Sequence, residues 1–125
     1  TAALFVGYAV VAILFYLAKQ EEVTADMIMA TASEYVLISI FFGFLYHVVD
    51  TAHPGSFNFS GEEASRSGYI YFSMTTLTTT GYGDFLPLSP QARSLAMLEA
   101  ITGPLYLAIL VALLVSLYTV RKKQH

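Results

Sequence analysis

Three apolar stretches, residues 1–18, 27–49 and 90–120, each come near the length at which a helix crosses a lipid bilayer, and they leave little chain for anything else. A hydrocarbon core about 30 Å thick needs roughly 20 helical residues. The first stretch, "TAALFVGYAVVAILFYLA", is uncharged and apolar around its whole circumference, so residues 1–18 read as a spanning helix on the short side. It has no arginine series and is not a voltage-sensing helix. Residues 19–26, "KQEEVTAD", form a polar connector. The second stretch is interrupted by Glu34 and the third by Glu99. Ser89 followed by Pro90 is a helix start, a hydroxyl cap and then a proline where no backbone donor is needed. A chain that is 56% hydrophobic with a mean hydropathy of +0.61 is too apolar for a soluble domain of 125 residues.

The remaining composition mainly excludes. A net charge of −3 without a basic patch argues against nucleic acid as a partner. The absence of cysteine removes disulfides and thiolate metal sites. The chain starts at Thr1 without a leader or lipidation box, and reads as a processed or trimmed piece of something longer. "RKK" at 121–123 marks a cytoplasmic end by the excess of positive charge that inner loops carry. The third helix then runs inward, the connector is cytoplasmic, and Thr1 falls outside, an arrangement that an upstream helix would make ordinary.

Between the second and third spans the chain has two unlike halves. Residues 50–67 are polar and rich in turn formers, a solvent-exposed outer loop. Residues 68–78 are apolar and aromatic, yet only about half as long as a spanning helix. Such a helix can enter a membrane without crossing it when protein buries its backbone or it lines water.

It leads into "TTLTTTGYGDF", residues 75–85. Stripping water from a small cation requires oxygens at close range, and rings of backbone carbonyls supply them without burying a formal charge. Turning those carbonyls to one side needs left-handed dihedrals, which Gly81 and Gly83 permit on either side of Tyr82. Tyr82 can point away as a packing spacer, Thr79 can add a hydroxyl oxygen below the carbonyls, and Asp84 follows at the mouth. The negative end of the short helix would face a waiting cation.

Thr79-Thr80-Gly81-Tyr82-Gly83-Asp84 resembles the T-V-G-Y-G-D selectivity filter of the potassium-channel family, set between an outer helix with a pore helix and an inner helix. The resemblance implies an all-α membrane protein with the tetrameric pore fold. Its pore domain would cover 27–125: outer helix 27–49, outer loop 50–67, pore helix 68–78, filter 79–83 and inner helix 90–120, with 1–18 an extra transmembrane helix. It implies passive potassium-selective conduction by a homotetramer in the plasma membrane, with the C-terminus cytoplasmic. The cargo is potassium, held by Thr79, Thr80, Gly81 and Tyr82 with Gly83 completing the filter; no organic cofactor and no enzyme activity are implied. Thr80 stands where valine or isoleucine is usual, and Thr75 where some members carry a glutamate that braces the filter aspartate. Gly103, twenty positions past Gly83, resembles the inner-helix hinge glycine, and Pro104 beside it removes a backbone donor, so a kink is expected. Helical steps from Gly103 put Leu107, Val111 and Val115 on one face as pore lining. Thr75, Thr76 and Glu99 are the candidate filter supports.

Two other classes compete with this reading. "GYGD" also fits the box of intramembrane aspartyl proteases, but these need a second aspartate deep in the membrane, and Asp26 and Asp50 lie at segment ends. A transporter subunit using four degenerate loops in one chain is disfavoured by a single intact motif. Glu34 is expected near the cytoplasmic interface, within reach of Arg121 or Lys122. His47 and His53 lack companions at metal-ligand spacing. Asn58-Phe59-Ser60 fits a glycosylation sequon. The "RKK" run is a topology anchor, and also where a cytoplasmic regulatory domain would follow.

Overall fold

The computed structural model describes residues 2–123. Thr1, where the first expected span begins, and Gln124 and His125, the end of the expected pore domain, lie outside the described residues. Four helices carry the chain: α1 Ala2–Ala18, α2 Ala25–Ala52, α3 Arg66–Leu77 and α4 Pro90–Lys123. Two of them, α2 and α4, are long and apolar enough to cross a membrane. With 17 residues, α1 extends about 25 Å and falls just short.

Capping chemistry sets the helix ends. The Thr24 hydroxyl accepts from the Met27 amide at 3.2 Å and starts α2 two residues before the apolar run. Ser65 accepts from the Gly68 amide at 3.1 Å and starts α3 at Arg66. Ser89 accepts from the Ala92 amide at 3.1 Å, so α4 opens on Pro90, whose missing donor costs nothing there.

The core lies where α2, α3 and α4 meet. Ile38, Phe42 and Tyr46 of α2 pack on Tyr69, Phe72 and Leu77 of α3 and on Ala92 and Ala96 of α4. The outer loop departs from the sequence reading. Instead of a wholly solvated connection, it buries Ser56, Phe57 and Phe59, and Phe57–Asn58 (β1) pairs antiparallel with Leu86–Pro87 (β2). The cause is aromatic. Phe57 meets Tyr46 and Phe72 edge-on at centroid distances of 5.4 and 5.5 Å, and Phe59 meets Tyr69 and Phe85 at 5.1 and 4.9 Å. Such contacts outweigh the polar residues flanking them.

Along α4 only Ala92, Ala96, Glu99 and Gly103 are buried, one stripe confined to its first half. A Cβ on Gly103 would sit 2.0 Å from the Leu77 carbonyl oxygen, so only glycine lets α4 pass so close to the end of α3. Beyond that crossing, Leu107, Val111 and Val115 are exposed in the isolated chain. An apolar face that large needs lipid or another chain to cover it.

Candidate functional site

Where α3 ends, the Thr78 amide donates to the Met74 carbonyl at 3.1 Å and the Thr79 amide to that of Thr76 at 3.1 Å. The Gly81 amide reaches back to the Thr75 carbonyl at 3.0 Å. These bonds fold the loop against the helix that precedes it. The Thr79 and Gly81 amides are thus tied to α3, and no carbonyl of residues 79–83 accepts a hydrogen bond among the described residues.

The loop dihedrals explain the arrangement. Thr79, Gly81 and Gly83 have φ of 60°, 53° and 79°, so every second residue is left-handed. Alternation of this kind gathers successive amides on one side of the chain and leaves the carbonyls, which point opposite to them across each trans peptide, on the other. For Gly81 and Gly83 the conformation is free of steric cost, whereas Thr79 is β-branched and carries about 1–2 kcal/mol of strain. Strain of that sort persists where surrounding structure enforces it, commonly at a functional site. Tyr82 is 72% exposed in the single chain, with no core contact to hold it.

Asp84 is fixed by three groups. The Tyr71 hydroxyl donates to its Oδ2 at 2.8 Å, the Phe85 amide to its Oδ1 at 3.0 Å, and the Ser60 hydroxyl to its carbonyl. The hydrogen bond to Asp84 holds the Tyr71 phenol above its ordinary range, since ionising it would set a second negative charge beside the carboxylate. Tyr71 was not found by sequence reasoning. It lies one helical turn before Thr75 on the same face of α3, a spacing that could have revealed it. The Thr75 and Thr76 hydroxyls both donate to the Phe72 carbonyl at 3.0 and 2.8 Å, so Thr75 touches the loop only through its own carbonyl.

Glu99 is fully buried and is hydrogen-bonded to the Tyr46 hydroxyl of α2 and the Ser73 hydroxyl of α3, which also meets the Ser39 carbonyl at 2.6 Å. One carboxyl therefore joins three helices. Asp50 accepts from the Ser56 amide at 2.9 Å and from Tyr69, and makes no bond with Asp84. Asp26 lies in the first turn of α2. Neither aspartate forms the proton-sharing pair that a protease requires.

A family model described as "Ion channel" matches residues 34–120. The inward rectifier potassium channel Kirbac3.1 of Paramagnetospirillum magnetotacticum is 36% identical over 72 residues, which cover 58% of this chain and 21% of that protein. This chain belongs to the potassium-channel pore-domain family. It spans about a fifth of the length of that relative. With α2 and α4 apolar and long, the family member is an integral membrane protein. The matched region begins at Glu34 and contains α3, the 79–83 loop, Glu99 and Gly103, so the elements just described fall within it, while α1 lies outside.

In this pore-domain chain the intramembrane acids differ from the sequence reading in one respect. Glu34 does not reach for Arg121 or Lys122. Its carboxyl is fully buried and meets the Tyr106 hydroxyl at 3.1 Å, about 22 Å along α4 from Arg121 at 1.5 Å per residue. The aromatic ring of Tyr35 lies 5.6 Å from that of Tyr106.

Proposed function

We propose that this chain is one quarter of a homotetrameric pore that conducts potassium passively and selectively. The alternating left-handed backbone of Thr79, Gly81 and Gly83, with unclaimed carbonyls through residues 79–83, is the observation that carries the reading. One chain supplies only an arc of oxygens around an ion. Four copies would close each arc into a ring that replaces the hydration shell. Thr79, Thr80, Gly81 and Tyr82 then hold the ion and Gly83 completes the filter, with the Thr79 hydroxyl adding the innermost ring.

In the same reading α3 is the re-entrant pore helix and its carbonyl end favours a cation in the cavity below. Asp84 stands at the outer mouth, held by Tyr71. Thr75, Thr76 and Glu99 brace the filter from behind. Leu107, Val111 and Val115 line the inner vestibule, where an apolar constriction closes by dewetting, and the Gly103–Pro104 pair sets the bend of the inner helix. The exposed apolar faces of α4 are consistent with neighbours in a tetramer and with lipid outside it. The extra helix α1 packs beside α2 in the membrane, the C-terminus faces the cytoplasm, and the plasma membrane is the location. A regulatory domain following α4 would pull on the inner helix.

Purified protein in liposomes tests this directly. Potassium uptake should exceed sodium uptake, and the particle mass should be that of four chains. Equal flux of both ions, or a monomeric particle, would refute the reading.

A further inference from the structure

Tyr106 has one hydroxyl proton and two acceptors in reach, the Thr31 carbonyl at 2.9 Å and Glu34 Oε2 at 3.1 Å. Glu34 Oε1 has no hydrogen-bond partner, and the residue is fully buried. A carboxylate in this position would be poorly served. It accepts four or so hydrogen bonds when ionised, yet here it competes with a backbone carbonyl for a single donor. A neutral acid fits every proton. Glu34 donates through Oε2 to the Tyr106 oxygen, Tyr106 donates to Thr31, and Oε1 remains a carbonyl oxygen whose burial costs far less than that of a charge.

We infer that Glu34 works as a neutral carboxylic acid and that it and Tyr106 are positioning residues for the inner helix. The placement gives the pair its consequence. Tyr106 lies three residues past Gly103 and two past Pro104, just below the site where α4 loses a backbone hydrogen bond. Above that point α4 is fixed by Gly103 against Leu77 and by Glu99 against α2 and α3. Below it, the chain Glu34, Tyr106, Thr31 is the polar contact that fastens α4 to α2. The neighbouring Tyr35 cannot substitute, because its hydroxyl donates to the Leu77 carbonyl at 2.9 Å. The fastening therefore biases the position of the lower inner helix without touching the loop at 79–83. This inference rests on the proposed channel function for its gating arm, and on structure alone for its protonation arm.

Two measurements separate those arms. Infrared difference spectra of the wild-type protein against Glu34→Gln at neutral pH should contain a protonated-carboxyl stretch that the variant lacks. Absence of that band would mean an ionised Glu34 and would overturn the inference whether or not the protein conducts. In single-channel recordings, Glu34→Gln should retain the wild-type open probability, since its amide can donate to Tyr106 as the acid does. Tyr106→Phe and Glu34→Leu should each shift the closed–open equilibrium by about fivefold per subunit, the equivalent of one buried hydrogen bond. The double variant should shift it no further, with potassium-over-sodium selectivity unchanged throughout. A Glu34→Gln channel that behaves like Glu34→Leu would overturn the inference. Loss of selective current from the wild type would instead remove the channel reading and leave the spectroscopic result standing.

Discussion

Replacing Gly103 with alanine adds a single methyl group at the crossing of α3 and α4. That methyl would lie 2.0 Å from the Leu77 carbonyl oxygen, 3.0 Å from its carbonyl carbon and 3.3 Å from its Cα. All three are backbone atoms, so no side chain can rotate aside. Restoring a tolerable contact requires the helices to part by about 1 Å, and overpacking of this kind costs about 1–3 kcal/mol. Alanine returns about 1 kcal/mol through its better helix propensity, which leaves a net loss of up to about 2 kcal/mol per chain. The loss falls on a critical spot. Leu77 ends α3, its carbonyl also holds the Tyr35 hydroxyl, and the 79–83 loop begins two residues later. Gly103→Ala should lower the thermal unfolding midpoint and reduce selective potassium flux in liposomes, and it should do so even though alanine is expected to stiffen any hinge. If both the midpoint and the potassium-to-sodium flux ratio matched the wild type, the close-packing argument would be wrong, and Gly103 would have to be explained by flexibility alone.

The other expectations follow the same contacts. Gly83→Ala forces a side chain into φ near 79°, at about 1–2 kcal/mol per copy, and Tyr82→Val removes the ring that spaces the loop; both should degrade potassium-over-sodium selectivity while the assembled mass is unchanged. Tyr71→Phe removes the donor at 2.8 Å from Asp84, an exposed bond, and should shorten the conducting bursts of single channels without lowering the midpoint appreciably. Glu99→Leu leaves the Tyr46 hydroxyl buried without its acceptor, whereas Ser73 keeps the Ser39 carbonyl at 2.6 Å, and should lower stability by about 1–3 kcal/mol in chemical unfolding; an unchanged unfolding curve would show that the three-helix junction does not depend on it. Pro104→Ala restores a helix donor, so single-channel records should show altered open probability with selectivity intact.

The long apolar helices were legible because α2 and α4 declare themselves by length, and the start of α4 because Ser89 and Pro90 state a cap in two residues. The backbone of the 79–83 loop was legible in part, since Gly81 and Gly83 permit the left-handed dihedrals that the structure has there. What stayed hidden depended on partners distant in sequence. Phe57 and Phe59 sit in a stretch of glycine, serine and glutamate, and only the aromatic faces of Tyr46, Tyr69 and Phe72 explain their burial. Tyr71 was lost among the aromatics of a short apolar helix, though it lies one turn before Thr75 and its hydroxyl meets Asp84. The environment of Glu34 was misjudged from chain position: a carboxyl two turns into a span was assigned to the nearest cations, whereas the antiparallel packing of α2 on α4 places Tyr106 beside it. Gly103 was read as a hinge from spacing, and its contact with Leu77 could emerge only from the crossing itself.

The most direct measurement is the position of a heavy potassium substitute. Anomalous scattering from thallium or rubidium in the assembled protein should place ions in a row on a four-fold axis, each ringed by carbonyl oxygens of residues 79–83 from four chains. Ions found off any symmetry axis, or bound by Asp84 and other carboxylates in place of the main chain, would contradict the account.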